Sequence, residues 1–253
     1  MNEKTSPRKF ILQSKKLSKD FGGLKAVNEV DLEISAGVHS IIGPNGAGKT
    51  TLFNLISGFL KPTSGGIFYL GKEIANLPPY EISKLGLARS FQITSIFPDL
   101  TVYENVRIAV QSRLKASYNF LLASKRLRGV NEKTKEILSK VGLLDVADLV
   151  ASNLSYGLQR GLDIGISLAT EPNLILLDEP TSGMDRKDSK LVIQLISEIS
   201  KRMPVVLIEH NIDIVLSISD VVTVLYQGSV LARGTPLEIQ KSEKVQEAYL
   251  GGY

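Results

Sequence analysis

The chain has 253 residues, 43% of them hydrophobic and 22% charged, and no cysteine. That length buries a core in one large domain or a domain with a subdomain, and the missing cysteines exclude a disulfide framework and any cysteine-based metal site. A net charge of +4 is compatible with an anionic membrane surface and does not demand nucleic acid as a partner. No apolar run reaches the roughly 18–20 residues that span a bilayer. The opening MNEKTSPRKF lacks the apolar stretch of a secretory signal. A cytoplasmic protein is expected, with any membrane role exercised through partners.

Along the chain, residues 8–42 alternate short apolar stretches with turns. Val30, Leu32 and Ile34 alternate with charged neighbours, the pattern of a half-buried strand. Val38–Ile42 reads as a buried strand. A glycine loop and a helical stretch over residues 50–60 follow it directly. Gly65 and Gly66 punctuate a strand over 67–70. From about 93 to 155 the pattern turns helical. Within it, residues 132–142 carry Ile137, Leu138 and Val141 at helical spacing, with Gly142 as a stop. Helix resumes over 157–170. Residues 174–177 and Val205–Ile208 are continuous apolar runs, typical of parallel strands buried on both faces. A helix over 187–202 lies between them. Residues 221–225 and 230–232 flank Gln227-Gly228, a hairpin signal. The alternation implies an α/β core, and the helical stretch implies an inserted subdomain over about 93–160.

Gly43-Pro44-Asn45-Gly46-Ala47-Gly48-Lys49-Thr50 fits GxxxxGK followed by Ser or Thr. In this pattern glycines let backbone N–H groups turn inward around phosphate oxygens, and the positive end of the following helix adds to the pull. Lys49 would reach the β- and γ-phosphates of ATP. Thr50 would ligate Mg2+, with Thr51 beside it in the same binding segment. Strand, loop and helix occur in the order the motif requires, which by itself indicates a nucleotide-hydrolysing loop of unspecified kind. Asp178 and Glu179 end the apolar run 174–177. An acid at that strand end can hold Mg2+ through its water shell, and its neighbour can polarise an attacking water. Ser155 and Gly157, in Leu154-Ser155-Tyr156-Gly157-Leu158-Gln159-Arg160, open a helix. A hydroxyl and glycine N–H groups there make either a second phosphate-binding surface or a simple helix cap.

The order of these motifs resembles the ABC transporter ATPases across nearly the whole chain. The family signature is LSGGQ. Here it reads LSYGL, with Tyr156 and Leu158 departing and Ser155 and Gly157 retained. The resemblance implies a P-loop fold with a mixed, largely parallel core sheet, an antiparallel β subdomain and an inserted helical subdomain. Gln92 matches the glutamine that meets Mg2+ and the attacking water. Asp185, in Ser182-Gly183-Met184-Asp185, matches the residue that communicates between subunits. His210 matches the switch histidine that contacts the γ-phosphate. Phe21 lies where these ATPases stack an aromatic on adenine, and Val27 would pack on the nucleotide's other side. His39, the remaining histidine, reads as structural.

In the family two subunits pair head to tail. Each ATP lies between the Lys49-type loop of one and the Ser155, Tyr156, Gly157 and Asp185 positions of the other. The similarity is closest to the ATPases of branched-chain amino acid uptake, through Gly86-Leu-Ala-Arg-Ser-Phe-Gln, the run from Ile96 to Val106, LSYG, Gly234-Thr-Pro and Glu247-Ala-Tyr-Leu-Gly. It implies two integral membrane permease subunits, a second ATPase subunit (itself or a paralogue), an external substrate-binding protein reached indirectly, and work at the cytoplasmic face of the membrane. Urea, other amide or lipopolysaccharide transport stays open as cargo. A soluble ABC ATPase of translation or DNA repair is the reading from another class; a single cassette without sustained heptads speaks against it. Residues 113–135 contain seven Lys or Arg and one acid, Glu132. A solvated helical face is expected there, with lipid head groups as a second reading.

Overall fold

The computed structural model describes residues 10–90, 96–113 and 120–250. The chain opens with an antiparallel hairpin, β1 (Leu12–Phe21) and β2 (Leu24–Ile34), then moves to β3 (Val38–Ile42) and α1 (Lys49–Ile56). It returns to the hairpin sheet as β4 (Ser64–Tyr69) and β5 (Lys72–Glu73). Then come α2 (Pro79–Lys84), β6 (Leu87–Ser90) and the helices α3 (Val102–Ser112), α4 (Phe120–Lys140) and α5 (Tyr156–Ala169). β7 (Leu174–Asp178), α6 (Arg186–Ser200), β8 (Val205–Ile208) and α7 (Ile212–Ile218) follow. The hairpin β9 (Val221–Tyr226) and β10 (Ser229–Gly234) leads into α8 (Pro236–Gln240) and α9 (Glu243–Leu250). Among the described residues no helix is long and apolar enough to cross a membrane.

The strands form an antiparallel sheet, β2-β1-β4-β5, and a larger sheet, β10-β9-β3-β8-β7-β6, parallel except for β10. β3, β7 and β8 are buried at every position, as parallel strands covered on both faces must be. In β2, Val30, Leu32 and Ile34 point inward while Asp31 stays exposed. One core joins the antiparallel sheet to the parallel one through Leu12, Leu32, Phe53, Ile67, Leu176 and Val206. On the other side of the parallel sheet, Ile175, Leu177 and Leu207 pack with Ile164 of α5 and Val192 and Ile196 of α6. A separate cluster, including Val102, Val106, Ile137, Leu138 and Leu162, holds α3, α4 and α5 together. α5 therefore contributes to two cores and ties the helical region to the sheet.

Helix limits differ from the sequence reading. α1 ends at Ile56 rather than continuing to residue 60, because Gly58 turns left-handed just past the cap, φ +77°, with its N–H donating to Leu55 O at 3.2 Å. α4 starts at Phe120, well before the apolar spacing of 132–142 begins. His39 is buried on β3, and its Nε2 accepts the Ser35 N–H at 3.3 Å. Burial, helped by the charge of Arg233, pushes its pKa below the ordinary histidine value, in keeping with a neutral structural imidazole.

Strand order positions the site. β8 lies between β3 and β7, so the glycine loop, the Glu209-His210 segment and the Asp178-Glu179 pair leave the same edge of three adjacent parallel strands. The C-terminal edge of such a sheet is where ligands bind.

Candidate functional site

The loop from Gly43 to Gly48 is pressed against backbone from two other segments. Gly48 caps α1 in a left-handed conformation, φ +99°, and a Cβ there would overlap the carbonyl oxygen of Ala26. At Gly43 a Cβ would overlap the carbonyl oxygen of Leu225. Only glycine permits both approaches. Gly228 completes the seating: its N–H donates to Ala47 O at 3.1 Å and its carbonyl accepts the Asn28 N–H at 2.8 Å. Asn45, Gly46 and Thr50 remain exposed at the mouth, Pro44, Gly48 and Thr51 are partly exposed, and Ala47 is buried beneath.

Lys49 is the first residue of α1 and only 6% exposed. Its ammonium donates to the carbonyls of Gly43 at 2.8 Å and Pro44 at 3.1 Å. Burial pushes its pKa down, while the charges of Glu179 and then Asp178 pull it back up. The ammonium and both carboxylates thus share one electrostatic site. Asp178 is buried at the end of β7, where Arg89 Nη2 meets its Oδ2 at 2.9 Å. Arg89 also donates to Asn54 Oδ1 at 2.7 Å and Ser57 Oγ at 2.8 Å, joining β6, α1 and β7. Burial pushes the Arg89 pKa down and the Asp178 partner opposes that.

Glu179 adopts φ +47°, uncommon for a residue with a side chain. Its N–H donates to Ile208 O at 2.9 Å, and its Oε1 lies 2.7 Å from His210 Nε2. Beneath them Glu209 is buried. One of its oxygens accepts from the Thr181 N–H at 3.1 Å and from the Thr181 hydroxyl, and the other accepts the His210 N–H at 3.1 Å. A cavity of about 170 Å3 opens between Glu179, Ser182, Glu209 and His210. The structure thus brings Lys49, Asp178, Glu179 and His210 together. An ammonium, two carboxylates and an imidazole gathered at one strand edge are groups that can bind phosphate and move a proton.

Other residues singled out by sequence lie elsewhere. Phe21 is 48% exposed at the end of β1, with the Lys19 ammonium over its ring, 5.1 Å from the ring centre. Val27 is fully buried in the core, so its side chain presents no surface to a nucleotide and the packing expected of it does not hold in this conformation. Ser155 caps α5, accepting the Leu158 N–H at 3.4 Å, and Tyr156 is 45% exposed. The Gly157 N–H is already taken by the Asp188 carboxylate at 3.0 Å. Asp185 caps α6, accepting the Asp188 N–H at 2.8 Å. Gln92 lies outside the described residues.

Comparison with known proteins decides the family. The ABC transporter profile matches residues 27–182, and a profile for branched-chain amino acid ATP-binding cassette transporters matches residues 229–253. The chain belongs to the ABC transporter family, as one of its ATPases. Escherichia coli (strain K12) LivG, a high-affinity branched-chain amino acid transport ATP-binding protein, is 41% identical over 239 residues, which cover 91% of this chain and 94% of LivG. The ADP conformation of MJ1267, an ATP-binding cassette of an ABC transporter, superposes with a TM-score of 0.84 at 33% identity, covering 96% of this chain and 99% of that one. The dimeric cassette MJ0796 superposes with a TM-score of 0.75 at 25% identity, covering 89% and 98%.

Four residues of this ABC ATPase that touch the site carried no assigned role in the sequence reading: Arg89, Arg160, Asp188 and Glu209. Each acts through a partner remote in sequence, and only Glu209 gave a local signal, as the acid ending the apolar run of β8. A Gly48→Ala substitution adds a methyl group against Ala26 and forces a left-handed alanine. We expect it to lower stability by about 2 kcal/mol or more and to abolish nucleotide binding, read by thermal denaturation and by titration with a fluorescent ATP analogue. Unchanged stability and affinity would refute the packing argument.

Proposed function

We propose that this chain binds magnesium-ATP and hydrolyses it as one of two ATPase subunits that power uptake of branched-chain amino acids. It works at the cytoplasmic face of the cell membrane, with two permease subunits and, indirectly, an external substrate-binding protein. The observation that carries the reading is the Glu179–His210 contact at 2.7 Å, next to a buried Lys49 at the mouth of a glycine loop. The likeness to LivG supports the amino-acid cargo.

The phosphates enter the loop between Gly43 and Thr50, where backbone N–H groups and the N-terminus of α1 attract them. Lys49 exchanges its two carbonyl partners for β- and γ-phosphate oxygens. Phe21 stacks on adenine. The Thr50 hydroxyl and the Asp178 carboxylate are hard oxygen donors of the kind magnesium takes alongside substrate phosphates, and Gln92 would join them. Bound there, the ion supplies charge neutralisation on the transferring phosphoryl group. Glu179 takes a proton from the water that attacks the γ-phosphorus, the bond to ADP breaks, and His210 holds the carboxylate in place. General-base help of this kind contributes about 10²–10⁴-fold.

Ser155, Tyr156, Gly157 and Asp185 of the second ATPase subunit close over the nucleotide, so ATP joins the two subunits and hydrolysis separates them. Because Asp188 occupies the Gly157 N–H, closure displaces a carboxylate in favour of a phosphate. The helical subdomain, about 93–160, carries the motion to the permeases. Outside that subdomain, Phe59 and Tyr80 support a docking surface: both are more than half exposed beside a cavity of about 260 Å3 that Arg89 also lines.

Glu179→Gln is expected to keep ATP affinity, slow turnover at least about 10²-fold and accumulate an ATP-bound dimer, read by size-exclusion chromatography with and without magnesium-ATP. Wild-type turnover would remove Glu179 from the role. Deleting the gene from its host is expected to abolish high-affinity uptake of labelled leucine, isoleucine and valine; unchanged uptake of all three would overturn the cargo.

A further inference from the structure

Among the described residues Arg160 is the largest side chain that the fold leaves less than about 2% exposed. It sits in the second turn of α5, and its guanidinium reaches out of the helix to the end of β7. Nη2 donates to Asp178 O at 3.0 Å and Glu179 O at 3.2 Å, and Nε donates to Pro180 O at 3.3 Å. Nη1 pairs with Asp163 one turn along the same helix, at 3.3 Å. One buried cation therefore gathers three consecutive carbonyls, directly behind the residue proposed to activate water.

Three consecutive carbonyls do not face one way in an extended strand, where the backbone alternates. They converge here because Glu179 is left-handed, at φ +47°. With the backbone turned in this way, the Glu179 carboxylate meets His210 at 2.7 Å. The convergence concentrates negative partial charge in a dry space, which is unfavourable unless a donor fills it. A guanidinium, planar and forked, fills it with separate N–H groups in a way a lysine cannot.

We infer that Arg160 is a positioning residue for ATP hydrolysis: it holds the 178–180 turn closed from behind and so keeps the Glu179 carboxylate aimed at the reacting water. Ser155 caps α5, so this contact ties the carboxylate of one site to the helix that covers the nucleotide of the other. The inference rests on the reading of Glu179 as the water-activating group. The competing account is a buried Arg–Asp pair that merely fastens α5 to the sheet.

The test uses the full chain and compares Arg160→Met, Arg160→Lys, Glu179→Gln and the double variant Arg160→Met with Glu179→Gln. Turnover is read by single-turnover release of labelled phosphate, and ATP affinity by equilibrium titration. Arg160→Met is expected to cut turnover about 10²-fold with ATP affinity changed less than about threefold. Arg160→Lys, keeping the charge but not the fork, is expected to recover about a tenth to a half of wild-type turnover. In the Glu179→Gln background, Arg160→Met is expected to cost less than about twofold, because the group it positions is gone. Near wild-type turnover in Arg160→Met, an equal fold loss in both backgrounds, or loss of ATP affinity in step with turnover would overturn the inference while leaving Glu179's role intact. Wild-type turnover in Glu179→Gln would overturn both. If Arg160→Met yields no folded protein, Arg160→Lys measured in the two backgrounds makes the same comparison.

Discussion

A lysine ammonium held almost out of water has to be surrounded by oxygen, and Lys49 is surrounded by the oxygens of its own loop. The glycines that allow this are forced by the neighbouring carbonyls of Ala26 and Leu225, and those carbonyls are supplied by β2 and β9. Two carboxylates, Glu179 and Asp178, complete the environment from the end of β7. The rest of the fold can be understood as what keeps these groups at fixed distances. A parallel sheet does so because its strands end in register along one edge, and helices packed on both faces keep that edge from shifting.

The charges around Lys49 come in buried sets. Arg89 meets Asp178, Arg160 meets Asp163 and three carbonyls, and Glu209 meets Thr181 and the His210 amide. Such buried pairs are poor sources of stability, since desolvation offsets most of the attraction. Their value is geometric. Each set joins segments that sequence separates: α1 to β6 and β7, α5 to β7, and the loop after β8 to the loop after β7.

Much of this was legible from residues alone. Runs of aliphatic residues without polar interruption marked β7 and β8, because strands buried on both faces tolerate little else, and Val38, Ile41 and Ile42 marked β3 around His39 and Ser40. The glycine loop and the Asp178-Glu179 pair were legible because their chemistry is local and their order fixed. What escaped has a common physical cause. Val27 stands in a strand whose inward face could not be told from its register with β1, and it is core rather than ligand wall. The first half of α4 is basic and weakly patterned, so its helix was seen only from residue 132. Arg160 and Asp188 look like ordinary helical surface charges until the fold sets them against Pro180 and Gly157.

The claim under all of this is that the loop around Lys49 grips the phosphates of ATP. A crystal structure of the full chain grown with magnesium and a non-hydrolysable ATP analogue tests it most directly. The account predicts β- and γ-phosphates ringed by the amides of residues 45–50, the Lys49 ammonium turned from the carbonyls of Gly43 and Pro44 onto phosphate oxygens, and Glu179 facing the γ-phosphorus. Nucleotide bound at another place, with Lys49 still on its own carbonyls, would contradict it.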